Sequence, residues 1–421
     1  MGDDAAVPLL VVGGGIAGIT AALEASEAGT PAIVVERSTH LGGRVAQLAR
    51  YFPKLCPPTC GLEINYQRLR SNPDVTVYTD STVLGLAGSP GHYRATIERR
   101  PRYVNERCTT CGACSSTCPA ERPNAFDYGM SRTKAAYLPH QAAFPMRYAI
   151  DAEACLFDEC GRCVEVCQYG AIDLHEQPVS IEVEVAAVVL ATGWDPYDAS
   201  AISNLGFGSD PDIVTNVMFE RMAADDGPTG GRILRPSNGS EVGSVAFVQC
   251  AGSRDRLHLP YCSSICCLAS LKEAALLAEK IPTASASVFY IDLRTPGTYE
   301  LFANRVLSLP NLQATKGKVA EIRRTASKDK LEVVADDMVL GQMTTTAVDL
   351  VVLATGMVAA KGGIQEGWAD AFGFVEAEID GSGVFAAGCA TGPSDVATAT
   401  LGATAAAMRA IGVARAEAVA R

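Results

Sequence analysis

Eight cysteines lie between positions 108 and 167, and their spacing limits what the surrounding backbone can be. The first four read Cys108-x2-Cys111-x2-Cys114-x3-Cys118 and are followed by Pro119. Thiolates at those offsets can wrap an iron–sulfur cubane while loop amides point at its sulfurs and the proline turns the chain away. Zinc usually takes its ligands as two separated pairs, so a run of four argues for iron and sulfur instead. A second set, Cys155-x4-Cys160-x2-Cys163-x3-Cys167, has two extra residues in its first gap and Gln168 where a proline is expected.

The segment resembles a two-cluster ferredoxin, in which the fourth cysteine of each run ligates the other cluster. That resemblance implies one [4Fe-4S] cluster on Cys108, Cys111, Cys114 and Cys167, and another on Cys155, Cys160, Cys163 and Cys118. The 36 residues between Cys118 and Cys155 exceed the connection in compact bacterial ferredoxins, so a loop covers the module or meets a partner.

Upstream, the β-rich run Pro8 to Val12 leads into Gly13-Gly14-Gly15-Ile16-Ala17-Gly18, a GxGxxG pattern. Gly13 permits the tight turn, Gly15 lets backbone approach a pyrophosphate, and Gly18 lets the next helix lie close on the strand. Residues from Ile16 to Ala28 suit a helix, Gly29 suits its C-cap, and a second strand, Ala32 to Val35, ends at Glu36. Glu36 lies 18 residues past Gly18, where an acidic side chain accepts from adenosine ribose hydroxyls. Leu41-Gly42-Gly43-Arg44 resembles the second phosphate-contacting segment of the glutathione reductase and thioredoxin reductase class, which selects FAD over NAD. Val188 to Gly193 and Val351 to Gly356 each resemble the strand-plus-ATG turn that closes a dinucleotide domain in that class. Gly383 to Gly388 resembles its last FAD-contacting strand, followed by an Ala-rich helix from about Ala397, although Cys389 stands where the class usually has Asp. The candidate flavin contacts are Gly13, Gly15, Ala17, Gly18, Glu36, Arg37, Gly42, Gly43, Arg44, Thr192, Gly193, Gly388, Cys389 and Asp395.

A second dinucleotide domain should open near Gly243. The strand is legible in Ser244 to Val248, but Gln249 and Cys250 occupy the place of the turn glycines, so a pyrophosphate would meet side chains and nicotinamide binding is disfavoured. Cys250, Cys262, Cys266 and Cys267 converge there instead and fit a third cluster, or a group of buried thiols without metal. Cys56 and Cys60, close after the Gly42-Gly43 segment, are expected near the flavin ring as a redox dithiol or further ligands. His40, His92, His140, His175 and His258 stand without ligand spacing, and ordinary surface or core roles are expected for them.

Composition removes several function classes. Lys and Arg number 35 against 47 Asp and Glu, a net charge of −12, and no basic stripe tracks a nucleic-acid backbone. The start Met1-Gly2-Asp3-Asp4 lacks the basic opening of a secretory signal, and Ala6 breaks a myristoylation motif. No apolar run reaches the roughly 18 uninterrupted residues of a membrane span. Fifteen cysteines in that context point to metal ligation in a reducing compartment, and the cytoplasm is the expected location.

Taken together, the FAD fingerprint, the eight-cysteine insertion, Gln249 to Asp255, Tyr261 to Cys267, Gly388 to Asp395 and Phe52 to Cys60 resemble the A-type component of heterodisulfide reductase over nearly the whole chain. The resemblance implies an oxidoreductase component, typically dimeric, that exchanges electrons with B and C subunits. The chain begins at the FAD strand and ends at the FAD helix. In this it is similar to the short bacterial form of sulfur-oxidising heterodisulfide reductase-like complexes, without the extra electron exit that bifurcation at the flavin uses. The small subunit of glutamate synthase, an NAD(P)H-dependent enzyme, is the second resemblance. The expected fold is α/β: two dinucleotide-binding, thioredoxin reductase-like domains with an inserted α+β two-cluster ferredoxin domain. Residues 1–97, 179–238 and 357–421 are assigned to the FAD domain, 98–178 to the ferredoxin-like insertion, and 239–356 to a second dinucleotide fold that binds a cluster.

Overall fold

The computed structural model describes residues 7–52, 54–360 and 367–420; the N-terminal reading on residues 1–6 and Pro53 of the Phe52 to Cys60 motif lie outside the described residues. The described helices are α1 (Ile16–Glu27), α2 (Pro58–Ser71), α3 (Ala113–Thr117), α4 (Arg162–Val166), α5 (Asn216–Ala223), α6 (Cys266–Lys280), α7 (Tyr299–Leu307) and α8 (Val396–Ala420).

The first sheet has the strand order Glu378–Ile379, Val384–Ala386, Ala187–Leu190, Leu9–Val12, Ala32–Val35, Val75–Tyr78, and all pairs are parallel except the first. Leu9–Val12, Ala32–Val35 and Ala187–Leu190 are buried at every position, as strands covered on both faces must be. Leu9, Val11, Val34 and Val189 pack against α1 and α8 through Ala22, Ala403 and Ala407. Leu10, Ile33 and Val188 pack on the other face against Val83, Ala95 and Ile97 of a three-stranded antiparallel sheet. The stretch Val396–Ala416 of α8 is long and apolar enough by length and mean hydropathy (1.3) to cross a membrane, although its apolar residues are interrupted. Its alanines instead complete the core of this sheet.

The second sheet has seven strands, in the order Ile213–Thr215, Leu350–Thr355, Ser244–Ala251, Ser285–Tyr290, Leu312–Arg324, Leu331–Asp337, Gln342–Val348. Its first four pairings are parallel and its last two antiparallel. The expected FAD segment 179–238 is therefore divided. Ala187–Leu190 joins the first sheet, whereas Ile213–Thr215 and α5 join the second, because Val214, Phe219 and Met222 bury themselves against Phe247, Leu271 and Val352.

Asp212 ties that edge strand in place. It is 0% exposed, and its carboxylate accepts from Arg235 Nη2 (2.8 Å), Arg324 Nη2 (2.8 Å), Ser237 N (2.9 Å) and Ser237 Oγ (2.8 Å). Burial works to raise its pKa, but the hydrogen bonds from Arg235, Arg324 and Ser237 outweigh burial and hold it below the usual carboxylate range. Asp212→Asn is expected to cost about 3 kcal/mol in denaturant unfolding, because two arginines lose a buried counter-charge. A depressed native pKa means that the stabilisation is complete above about pH 4 and is lost as pH falls through the native value. The acid limb of the stability profile should flatten in that variant.

The insertion leaves the three-stranded sheet at Arg99 and returns at Val179, two residues that face each other in the antiparallel ladder. A whole module can hang from that doorway without disturbing the sheet. Within it, α3 and α4 enclose a small core of Val104, Ala136, Ile150 and Ile172 together with Cys114 and Cys163.

Candidate functional site

Where the first sheet meets the insertion and the second sheet, a cavity of about 820 Å³ opens. Gly13, Gly15, Ala17, Glu36, Arg37, Gly43, Arg44, Thr192, Gly193, Cys389 and Asp395 line it. Gly18, Gly42 and Gly388 stand behind the lining. At Gly18 a Cβ would lie 1.8 Å from the Gly13 carbonyl oxygen, so helix and strand could not approach as they do. Gly42 leads into the turn Gly43–Gln47, and Gly388 opens the turn Gly388–Ala390.

The cavity suits a dinucleotide on three grounds. No side chain caps α1 at its N-cap Gly15, so first-turn amides are left for an anion. Both oxygens of Glu36 are fixed by backbone donors, Gly14 N at 2.6 Å and Ser38 N at 2.7 Å, with lone pairs left for ribose hydroxyls. Above the Gly15 Cα the nearest atom a Cβ would meet is Gly43 Cα at 3.9 Å, which keeps the phosphate approach open.

Around this cradle the other contacts are braced. Arg44 pairs with Asp195 and donates to the Trp194 carbonyl at 3.3 Å, and Arg37 lies 3.5 Å from the same Asp195. Asp395 accepts from Thr398 N at 2.7 Å and so caps α8. Cys389 hydrogen-bonds through its thiol to Ser394, 3.4 Å from Oγ, and burial pushes that thiol's pKa up.

Cys56 and Cys60 are not in the cavity wall. Leu48 and Phe52 of the preceding segment reach it, while Cys60 is exposed and Cys56 half-buried beside Tyr51. Pro57 and Pro58 lead into α2, which carries Cys60 in its first turn. His40 corrects the sequence expectation in the other direction. It lines the cavity, with His140 and Phe126 packed against it at centroid distances of 4.9 and 5.7 Å. Burial above all lowers the His40 pKa to about 3 and the His140 pKa to about 4, so both rings are neutral. His258 bonds the Tyr197 hydroxyl at 2.8 Å, and His175 lies 3.7 Å from Asp158.

Three residues that the sequence did not single out, Glu220, Lys272 and Glu273, also face the cavity. Lys272 Nζ lies 2.5 Å from Glu220 Oε1 and donates to the Arg50 carbonyl at 2.7 Å, and Glu220 Oε2 accepts from Ala49 N at 3.0 Å. Charged residues on amphipathic helices read as solvated faces, and only the packing of α5 on α6 shows that these are buried.

The long connection between the two cysteine runs folds over the cavity. Arg122, Asn124, Phe126, Tyr137 and Pro139 wall the cavity, and Arg221 Nε donates to Asp127 at 2.9 Å to clamp the loop onto α5. Within the module the two runs are alike. Gly112 and Gly161 are left-handed N-caps of α3 and α4 (φ 81° and 61°), and each helix carries the third cysteine of its run in a buried position. The two extra residues of the second run are absorbed in the turn Phe157–Glu159.

A small cavity is lined by Cys118 together with Cys155, Cys160 and Cys163, although Cys118 belongs to the other run. Cys108, Cys111 and Cys114 lie near one another, and burial first, then Cys108, Cys163 and Cys111, push the Cys114 pKa up to about 12. Cys167 packs on the same small core, its sulfur accepting from Ala171 N at 3.4 Å. A thiol so placed becomes a thiolate only when a metal supplies the opposing charge. Among the described residues no three His, Cys, Asp or Glu converge closely enough to grip a single ion.

In the second domain, Cys250 adopts φ 56° at the end of strand Ser244–Ala251. A dinucleotide fold would turn there directly into its helix, but residues 252–265 intervene and bring Cys262 back toward Cys266 and Cys267 at the start of α6. Burial, then Cys267, raise the Cys250 pKa to about 11, with Cys262 adding to it, and Cys266 is fully buried beside all three. The thiols of Cys266 and Cys267 point toward different carbonyls, Thr355 at 3.9 Å and Asp292 at 3.3 Å.

A profile of the FAD-dependent oxidoreductase family matches residues 8–56. The chain is 36% identical over 419 residues to the A-type component of the H(2):CoB-CoM heterodisulfide,ferredoxin reductase of Methanothermobacter marburgensis, covering 95% of this chain and 63% of that one. It is 38% identical over 407 residues to the corresponding component of the Ferredoxin/F(420)H(2)-dependent CoB-CoM heterodisulfide reductase of Methanosarcina acetivorans, covering 92% and 51%. The chain thus spans between about half and five-eighths of the length of these relatives. Among solved structures, Lactococcus lactis thioredoxin reductase superposes with a TM-score of 0.54 at 13% identity, covering 97% of this chain and 99% of the other. Thioredoxin reductase of T. acidophilum gives 0.52 at 12% identity, covering 96% and 98%. That likeness establishes the mixed α/β architecture of two dinucleotide-type domains.

Proposed function

Because the chain is a homologue of the A-type component of heterodisulfide reductases over nearly its whole length, we propose that it is the flavin and iron–sulfur electron-transfer subunit of a heterodisulfide reductase-like complex. One observation carries this reading: the cavity that fits FAD is walled on one side by the cluster-type module, through residues 122–139, and on the other by α6, whose first turn bears Cys266 and Cys267. FAD bound there exchanges electrons in pairs or singly, whereas clusters on the cysteine sets carry them one at a time.

The chain's own residues bind and orient. Gly13, Gly15 and the N-terminus of α1 would receive the pyrophosphate of FAD and Glu36 would hold its ribose, while Arg44, fixed by Asp195, lines the cavity. Phe126, His40 and His140 pack a neutral apolar wall that keeps water from the gap between cofactor and module. Two clusters sit on the cross-paired sets in the module and a third on Cys250, Cys262, Cys266 and Cys267. In this proposal the partners are B- and C-type subunits, the protein is a cytoplasmic homodimer, and the complex serves sulfur oxidation. A self-sufficient NAD(P)H enzyme fits less well, because Cys250 and the 252–265 excursion occupy the place of a phosphate-binding turn.

Anaerobic quantitation tests the assignment. One flavin and about twelve iron atoms per chain are expected, against about eight if the third set is empty. Colourless anaerobic protein would overturn the reading, and rapid bleaching of the flavin by NADH or NADPH would favour the self-sufficient enzyme.

A further inference from the structure

Where α5 and α6 wall the cavity, they bring one cation and two carboxyl groups to it: Lys272, Glu220 and Glu273. Glu273 is 0% exposed, and neither of its carboxyl oxygens has a hydrogen-bond partner among the described residues. One turn earlier on the same face of α6, the buried Ser270 hydroxyl is also unpartnered. The neighbouring arginines are committed elsewhere. Arg50 is engaged with Glu279 at 2.6 Å, and Arg221 with Asp127 and Asp226 at 2.9 and 3.1 Å. With both carboxyls ionised the buried group would hold a net negative charge; with one protonated it is neutral. A buried ionised carboxylate without a donor is far costlier than a neutral one.

We propose that Glu220 and Glu273 share one proton, resident on Glu273, and that this proton is the one exchanged with the cofactor ring when it is reduced. The inference rests on the flavin reading of the cavity. Glu36 marks the ribose end, which leaves the ring to the opposite end, where α5 and α6 meet. On two-electron reduction of a bound ring by a one-electron carrier, Glu273 would pass its O–H proton to the ring and become a carboxylate beside Lys272. The proton returns when the electrons leave. Burial foremost, then Glu220, hold the Glu273 pKa well above the usual carboxylate range, against the opposing pull of Lys272. Lys272 stays charged and orients the pair, so Glu273 acts as a proton donor rather than an electrostatic clamp.

The test is a reduced-minus-oxidised infrared difference spectrum of the anaerobic holoprotein. Loss of a protonated-carboxyl C=O band on reduction is expected, shifted in D2O and absent from Glu273→Gln. That variant should keep its flavin and iron but take up electrons at the flavin about 10²-fold more slowly, a typical cost of losing a general acid. Glu220→Gln provides the second arm, because a lone Glu273 facing Lys272 ionises and the band should vanish from the oxidised state. A carboxyl band that survives in Glu273→Gln, or a wild-type spectrum with no carboxyl change, overturns the proposal. Absence of bound flavin would instead sink the reading of the cavity.

Discussion

Cys118→Ala is expected to remove about four iron atoms, and adding Cys160→Ala should remove no more. Cys118 stands in sequence with Cys108, Cys111 and Cys114, yet it lines a cavity with Cys155, Cys160 and Cys163, across a connection of 36 residues. If each run held its own cluster, the double variant would lose two clusters and about eight iron atoms. If the fourth cysteine crosses over, both substitutions strike one cluster and their effects do not add. Iron quantitation of the two singles and the double, prepared anaerobically, separates the cases. A loss of about eight iron atoms from the double variant would refute crossed ligation. The fold favours crossing because α3 and α4 pack side by side with their glycine-capped loops facing a shared core, which brings the end of each run to the start of the other.

Gly15→Ala should yield a folded, iron-containing protein with little or no flavin. Gly15 has an ordinary backbone conformation (φ −73°), and a Cβ there would meet only Gly43 Cα at 3.9 Å, so the protein tolerates it. The methyl group would instead stand where a pyrophosphate approaches the first-turn amides of α1, and FAD affinity should fall roughly 100-fold or more, about 2.7 kcal/mol. Gly13→Ala should behave differently. Gly13 has φ 109°, and its Cβ would lie 2.3 Å from the Ala191 carbonyl oxygen, a backbone atom that cannot step aside. That variant should lose flavin and melting temperature together. Thermal unfolding and flavin release, measured on both, check the contrast; full flavin in Gly15→Ala would mean that the phosphates lie elsewhere.

The two substitutions mark the boundary of what the chain reveals when read residue by residue. Glycine turns and cysteine runs are legible because their ligands are gripped by a few consecutive residues, so spacing along the chain is itself the geometry. Strands Leu9–Val12 and Ala187–Leu190 are legible for a similar reason: doubly covered strands are apolar at every position. The segment around Ile213–Thr215 is not. A three-residue strand, Ile213-Val214-Thr215, carries no mark of which sheet it will join, and burial of Phe219 and Met222 against α6 sends it to the second.

The same holds within the site. Cys56 and Cys60 are close in sequence to a phosphate-contacting segment, but neither lines the cavity, while His40 does. Glu220, Lys272 and Glu273 belong to two helices separated by the strand Ser244–Ala251. Local spacing records what neighbouring residues can hold together. It carries no record of distant charges brought into one apolar wall, and it is their shared desolvation, present only once the helices pack, that makes a proton-bearing group out of ordinary glutamates.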